Sequence, residues 1–279
     1  MESPKQDMSD HEVADLVEYV EAHELEELVA GLSDSLVTEL DLRVERIGAG
    51  VALVVRKVDV PMLNRIVGLG LREPITESTL DQVVALFEGA GIRYIVQLVP
   101  TVVTPEIERW LVARQMPRLD QWSKLIRGAE APPTIPTDLR VERIGVAHAE
   151  AFADIVCDGF EIPRHLGAFA SGTVGRPGWS HYLAFDGERP VATGALLVHE
   201  GVGWLDYGAT QPSHQRRGAQ GAIMAQRIRD GLDLGCHHFV TAAEEDLPDH
   251  PNPSYHNMIR TGFRLVYQRP NYIYFPPSG

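Results

Sequence analysis

Nine residues near the middle of the chain, AEAPPTIPT at 129–137, hold three prolines and no apolar periodicity. Proline fixes φ and donates no backbone hydrogen bond, so neither a helix nor a central strand runs easily through such a stretch. The chain is therefore expected to fold as two halves, 1–128 and 138–279, joined by this linker. Hydrophobic residues make up 44% of the 279 and charged residues 23%, which is enough apolar material for two cores.

Within each half, strand-length and helix-length patterns alternate, which points to a mixed α/β fold. Residues 11–33 carry Val13, Leu16, Val17 and Val20 at helical spacing. LRVERIG and VALVVRKVDV are β-rich and meet at the turn Gly48-Ala49-Gly50, and MLNRIVGLG reads as a further strand. Leu80, Val83, Val84 and Phe87 mark a helix between the cap Thr76 and the stop Gly91. RYIVQLVP is a strand, Thr104-Pro105 opens a helix, and LDQWSKLIRG closes the half as a strand. The second half gives a strand and helix over LRVERIGVAHAEAFADIVCDGF, a hairpin at Asp186-Gly187-Glu188, and a strand GVGWLDYGAT. A helix to Gly235, the strand HHFVTAA, the short helix NPSYHNMIRTGF and the strand RLVYQRPNYIYF follow. DLRVERIG occurs twice, at 41–48 and 138–145, which admits duplication of one fold, although a strand follows the first copy and a helix the second.

The formal net charge is −14, a field that opposes binding to nucleic acid and to anionic membranes. No apolar run approaches the roughly 20 residues of a membrane helix, the N-terminus lacks the features of a secretory signal, and only Cys157 and Cys236 are present. A soluble, cytoplasmic protein without disulfides is expected. No metal site is expected either, since His237 and His238 are adjacent and point to opposite faces of a strand.

The informative stretch runs from Asp206 to Phe263. A strand ends near Thr210, Pro212 breaks it, and Gln215-Arg216-Arg217-Gly218-Ala219-Gln220-Gly221 leads into a helix. A helix N-terminus offers unpaired N–H groups and a partial positive charge, and small residues let an anion approach the backbone. Two arginines add full charges, so the acidic chain carries a local cationic site.

Gln215-x-x-Gly218-x-Gln220 resembles the Gln/Arg-x-x-Gly-x-Gly/Ala signature of the GNAT superfamily of acyl-CoA N-acyltransferases, with Gln220 in place of the final small residue. Asn252, Ser254 and Gly262-Phe263 are similar to the family's downstream Asn…Ser…Gly-Phe segment. The resemblance covers about 138–276; the first half is similar to the N-terminal half of tandem GNAT-like proteins only in the order of its elements. It implies two GNAT-like domains, each a mixed, mostly antiparallel sheet flanked by helices, with the first degenerate. It implies acetyl-CoA as acyl donor, its pyrophosphate on the loop amides of 215–221 and its pantetheine arm beside Asn252 and Ser254. A strand bulge, placed by motif alignment at Ala209, Thr210 and Gln211, would polarise the thioester carbonyl through backbone N–H groups.

An amine acceptor must lose a proton before it attacks. Asp206 is the first choice as base, on the strand that enters the loop; Glu200, Glu244 and Glu245 are competitors. The family's tyrosine four residues before the Gly-Phe is replaced by Met258, which leaves Tyr255 as the candidate to protonate the thiolate. The acceptor is expected to be a small amine or amino acid. A CoA-binding module without turnover and a protein acetyltransferase are the other readings. The glycine-rich AFASGTVGRPGWSH, at 168–181, is expected to form a mobile lip over the acceptor.

Overall fold

The computed structural model describes residues 8–277. Helix α1 (Asp10–Ala30) and the short α2 (Asp34–Glu39) precede strands β1 (Leu42–Ile47), β2 (Gly50–Val55) and β3 (Arg65–Val67). Then come α3 (Glu77–Phe87), β4 (Tyr94–Gln97), α4 (Pro105–Ala113) and β5 (Arg118–Arg127). The second half runs β6 (Arg140–Ile144), α5 (Ala149–Gly159), α6 (Ala168–Ser171), β7 (Trp179–Asp186), β8 (Arg189–His199) and β9 (Val202–Thr210). It ends with α7 (Ala219–Asp233), β10 (His238–Glu244), α8 (Pro253–Arg260) and β11 (Arg264–Tyr274). The fold is mixed α/β, as the alternating periodicities require.

The compact units are not the contiguous halves expected from the proline-rich linker. Of the described residues, one unit gathers 8–22, 40–122 and 266–277, and the other gathers 23–39 and 123–265. Three of the four changeovers fall inside α1, β5 and β11, and the fourth follows the end of α2. Proline stops an element from propagating, but it does not decide which backbone a later strand pairs with. Residues 135–137 of the presumed linker pack on the N-terminal end of α7.

In the first unit the strand order is β1-β2-β3-β4-β11. β3 and β4 run parallel and the other pairs are antiparallel. β3 is shorter than the sequence suggests, because Pro61–Leu63 forms a 3-10 turn and the Asn64 side chain bonds Val55 N at 2.7 Å and Val58 O at 2.7 Å. Leu80, Val83 and Phe87 of α3 and Ile107 and Leu111 of α4 pack with Val54, Ile66 and Val96 of the sheet.

In the second unit the order is β10-β9-β8-β7-β6. Both copies of the repeated octapeptide form a strand in an antiparallel pair: β1 with β2 here, β6 with β7 there. Ile223, Met224 and Ile228 of α7 join Leu196, Leu205, Phe239 and Phe263 in the core. The segment expected to be a mobile lip is tied down instead. Arg176 binds Glu27 at 3.1 Å and donates to Ala30 O at 2.7 Å, and Gly172 lies against the backbone of Gly31.

Candidate functional site

The site is built by β8, β9, β10 and the N-terminus of α7, all in the second unit. β9 and β10 are parallel neighbours, yet they pair only from Val202↔His238 to Trp204↔Val240. β9 continues to Thr210 and β10 to Glu244. Just past the last pair the Thr241 hydroxyl donates to Leu205 O at 2.9 Å. Beyond it lie six or fewer residues of each strand with no mutual pairing, so a gap opens between two strands that share a base.

On its other edge β9 pairs antiparallel with β8, in step from His199↔Val202 to Ala195↔Asp206. The next pair is Thr193↔Ala209, so β9 holds one more residue than β8. This is a β-bulge, and Tyr207 adopts φ +54° within it. That conformation is costly for an aromatic residue. The bulge therefore sits at 206–208 and not at Ala209–Gln211, where motif alignment puts it. Strand alternation fails there as well, so Asp206 and Gly208 do not share a face merely by spacing.

After Thr210, the 3-10 turn Pro212–His214 leads to the signature loop. Gly218 is the N-cap of α7 at φ +81°, and no side chain caps this helix. Its first N–H groups thus have no side-chain acceptor among the described residues. A Cβ on Gly218 would collide with Pro136 O, so glycine is required here by the covering segment as well as by φ. Ala219 is buried. A Cβ on Gly221 would meet Ile135 at 2.9 Å. Gln220 turns its side chain to the sheet: its Nε2 donates to Thr210 Oγ1 at 3.0 Å, and its Oε1 lies 3.0 Å from where a Cβ on Gly208 would be. Gly208, without a Cβ, leaves room for that side chain.

The two arginines of the loop differ. Arg216 is exposed, at φ +62°, and makes no hydrogen bond or ion pair with the described residues; Gln215 beside it is also exposed. Arg217 is consumed internally. Its Nε donates to Asp138 at 3.1 Å and its Nη1 to Asp186 at 2.7 Å, with a further Nη2 bond to Asp138. Those carboxylates hold its guanidinium above the ordinary range, and it in turn holds both carboxyl groups below theirs. Its carbonyl accepts from Thr137 at 2.8 Å. His214 joins this cluster through Nε2 to Asp186 at 3.1 Å.

Asn252 is occupied by the fold. Its side chain accepts from Ser254 N at 2.9 Å and Tyr255 N at 3.2 Å, which caps α8, and it donates to Glu244 O at 2.9 Å. It thereby fixes α8 to the end of β10, at the open end of the strand gap. Ser254 and Tyr255 are partly buried in the first turn of α8, and Tyr255 packs against the core. Met258 is a core residue.

Asp206 is partly buried, and its carboxylate accepts from Tyr207 N at 2.6 Å. Glu200 is not part of this assembly. It is exposed at φ +46° in the β8–β9 turn, at the opposite end of β9 from the loop, about 26 Å along the strand at ~3.3 Å per residue. Glu244 is exposed at the end of β10.

Sequence reasoning missed two residues of the bulge. Arg227 is 2% exposed, and its Nη1 donates to Ala195 O and to Asp206 O, each at 2.9 Å. Burial pushes its guanidinium down to about 10. The Thr193 hydroxyl donates to Tyr207 O at 2.7 Å and accepts from Ala209 N at 3.2 Å. The available signal was Arg227 itself, a charge four residues from Ile223 on the buried stripe of a helix.

The corresponding junction of the first unit, between β3 and α3, is closed. Thr76 caps α3 by accepting from Thr79 N at 3.1 Å, and the Thr79 hydroxyl accepts from Thr76 N at 3.1 Å. These donors are satisfied by the helix's own residues.

No protein-family model matches the sequence, and no curated protein is similar to it. Solved structures are similar in fold. A GCN5-related N-acetyltransferase from Kribbella flavida superposes with a TM-score of 0.62 at 18% identity, over 92% of this chain and 96% of that one. Another from Sphaerobacter thermophilus gives 0.63 at 10% identity, over 98% and 95%. A tandem GNAT protein from the clavulanic acid biosynthesis pathway gives 0.57 at 12% identity, over 94% and 96%. The chain thus has the GNAT acetyltransferase fold in its tandem form.

Proposed function

We propose that the second unit is an acetyl-CoA-dependent N-acetyltransferase acting on the amine of a small molecule or amino acid. The observation that carries this reading is the parting of β9 and β10 beside a bulge, at the mouth of a helix N-terminus without a side-chain cap. The residues present fit the donor. The N–H groups at the start of α7 and the Arg216 guanidinium suit a pyrophosphate, while Arg217 only neutralises Asp138 and Asp186 next to it. Bound acetyl-CoA would supply an activated acetyl thioester.

Asp206 is the proposed base. One carboxylate oxygen accepts from the Tyr207 N–H, and a carboxylate in this position is of the chemical type that takes an ammonium proton. Of the bulge's backbone N–H groups, those of Tyr207 and Ala209 are held by Asp206 and Thr193, so the Gly208 N–H is the proposed partner of the thioester oxygen. Tyr255 is the remaining candidate to protonate the departing thiolate, since Met258 belongs to the core. The first unit, with its capped α3, is proposed to be degenerate and not to bind CoA. Among the described residues no helix is long and apolar enough to cross a membrane, and a cytoplasmic location is proposed.

Calorimetry with acetyl-CoA and a thiol-release assay over a panel of amines test the reading. Binding with amine-dependent release supports it. Tight binding without release for any amine would favour a CoA-binding module, and no binding would end both.

A further inference from the structure

We propose that Arg227 and Thr193 are positioning residues that build the β9 bulge and so set where Asp206 and the bulge N–H groups stand; this rests on the acyl-transfer reading. An extra residue in one strand breaks the ladder and leaves backbone groups without partners. Here side chains restore them one by one. Asp206 takes Tyr207 N–H, Thr193 takes Tyr207 O and Ala209 N–H, and Arg227 takes Asp206 O and Ala195 O. The last two carbonyls belong to residues directly opposite each other across β8 and β9.

Arg227 makes no other hydrogen bond with the described residues, although Tyr182 and Asp206 act on its charge. Among the described residues no carboxylate lies within ion-pair distance of it, and its Nε is buried without a partner. A buried guanidinium is costly unless hydrogen bonds compensate it, and here those bonds go to two carbonyls of the bulge. Gly194 also admits it: a Cβ there would stand 3.0 Å from Arg227 Cζ. Without these two side chains the strand pair gains by slipping back into step. A one-residue slip turns Asp206 and its neighbours to the other face.

The test compares the wild type with Arg227→Met, Arg227→Lys, Thr193→Val and the Arg227→Met/Thr193→Val double variant. Displacement of reacting groups by about 1 Å costs roughly 10² in rate. Each of Arg227→Met and Thr193→Val should lower kcat at least about tenfold, with acetyl-CoA affinity by calorimetry within about threefold. Arg227→Lys should recover part of the loss. The double variant should lose little more than the worse single one, because both act through one bulge. A kcat within twofold of wild type for either single variant overturns the proposal. So do losses that multiply and track acetyl-CoA affinity. Should Arg227→Met fail to fold, the near-isosteric Thr193→Val decides alone. If the wild type neither binds nor consumes acetyl-CoA, the acyl-transfer reading fails, and hydrogen exchange at Tyr207 and Ala209 judges the bulge. Faster exchange in Thr193→Val supports the assignment, and unchanged exchange refutes it.

Discussion

Burial leaves the imidazole of His181 uncharged at neutral pH. The residue is 1% exposed, its Nε2 lies 2.9 Å from Thr173 Oγ1, and burial pushes it down to about 4 from an ordinary 6.5. As pH falls through 6.5 the unfolded chain takes up this proton and the folded chain does not. Stability from this group is therefore complete above 6.5 and drains away towards 4, by about 3 kcal/mol at ~1.36 kcal/mol per unit. Urea titrations of wild type and His181→Gln at pH 7.5 and 4.5 should show a drop larger in the wild type by about that amount, the rest being shared with His23, His238 and the paired carboxylates. Asp206→Asn is a cleaner probe of the base than a smaller side chain, because its carbonyl oxygen can still accept from Tyr207 N. We expect kcat to fall by about 10²–10⁴ near neutrality and the deficit to shrink at high pH, where more amine is already neutral. A pH-independent deficit would assign Asp206 to orientation alone.

The signature loop shows how one element divides its charges. Arg216 is free for an anion, while Arg217 is the clamp that joins Asp138 and Asp186 to the start of α7. Arg216→Ala should weaken acetyl-CoA binding by about tenfold, with thermal stability almost unchanged, as for other exposed sites. Arg217→Ala should weaken binding too, but for another reason: two carboxylates stripped of their guanidinium, Asp186 keeping only His214, would stand beside the phosphates, and raising salt should restore part of the affinity. Isothermal titration at two ionic strengths separates the two cases. Gly218→Ala is a poor probe of the cofactor, since both φ and the Pro136 carbonyl oppose a side chain there.

At the scale of the molecule, the first unit depends on both ends of the chain. Arg269 of β11 is 0% exposed and binds Glu18 at 2.9 Å and Glu21 of α1. Tyr267 donates to Glu18 at 2.8 Å. Asn271, Tyr272 and Ile273 of β11 pair with β4. A chain cut at 128 keeps the two buried glutamates and loses Arg269 and Tyr267, although Arg65 at 3.9 Å from Glu21 and Gly68 N at 3.2 Å from Glu18 remain. We expect the 1–128 fragment to lack a cooperative melt by circular dichroism; a sharp transition would show that β11 is dispensable. Arg269→Met in the full chain should cost about 3–5 kcal/mol, the usual loss when one side of a buried ion pair is removed.

Composition, periodicity and turn chemistry are local, and the sequence determined by itself what depends on them. Most of the strands and helices, the caps Thr76 and Thr104 and the uncapped start of α7 were readable because each is specified within a few residues. Register and strand partnership are not local. Whether β9 carries a bulge at Tyr207 depends on its count against β8 and on Arg227, twenty residues further on. Whether Arg217 meets a phosphate or two aspartates depends on Asp138 and Asp186, which only folding brings to it. The proline-rich segment announced a boundary, but three of the four unit boundaries fell inside α1, β5 and β11. Proline acts on its own φ and N–H, whereas the choice of partner for a strand edge is made by complementary backbone and buried charge from anywhere in the chain.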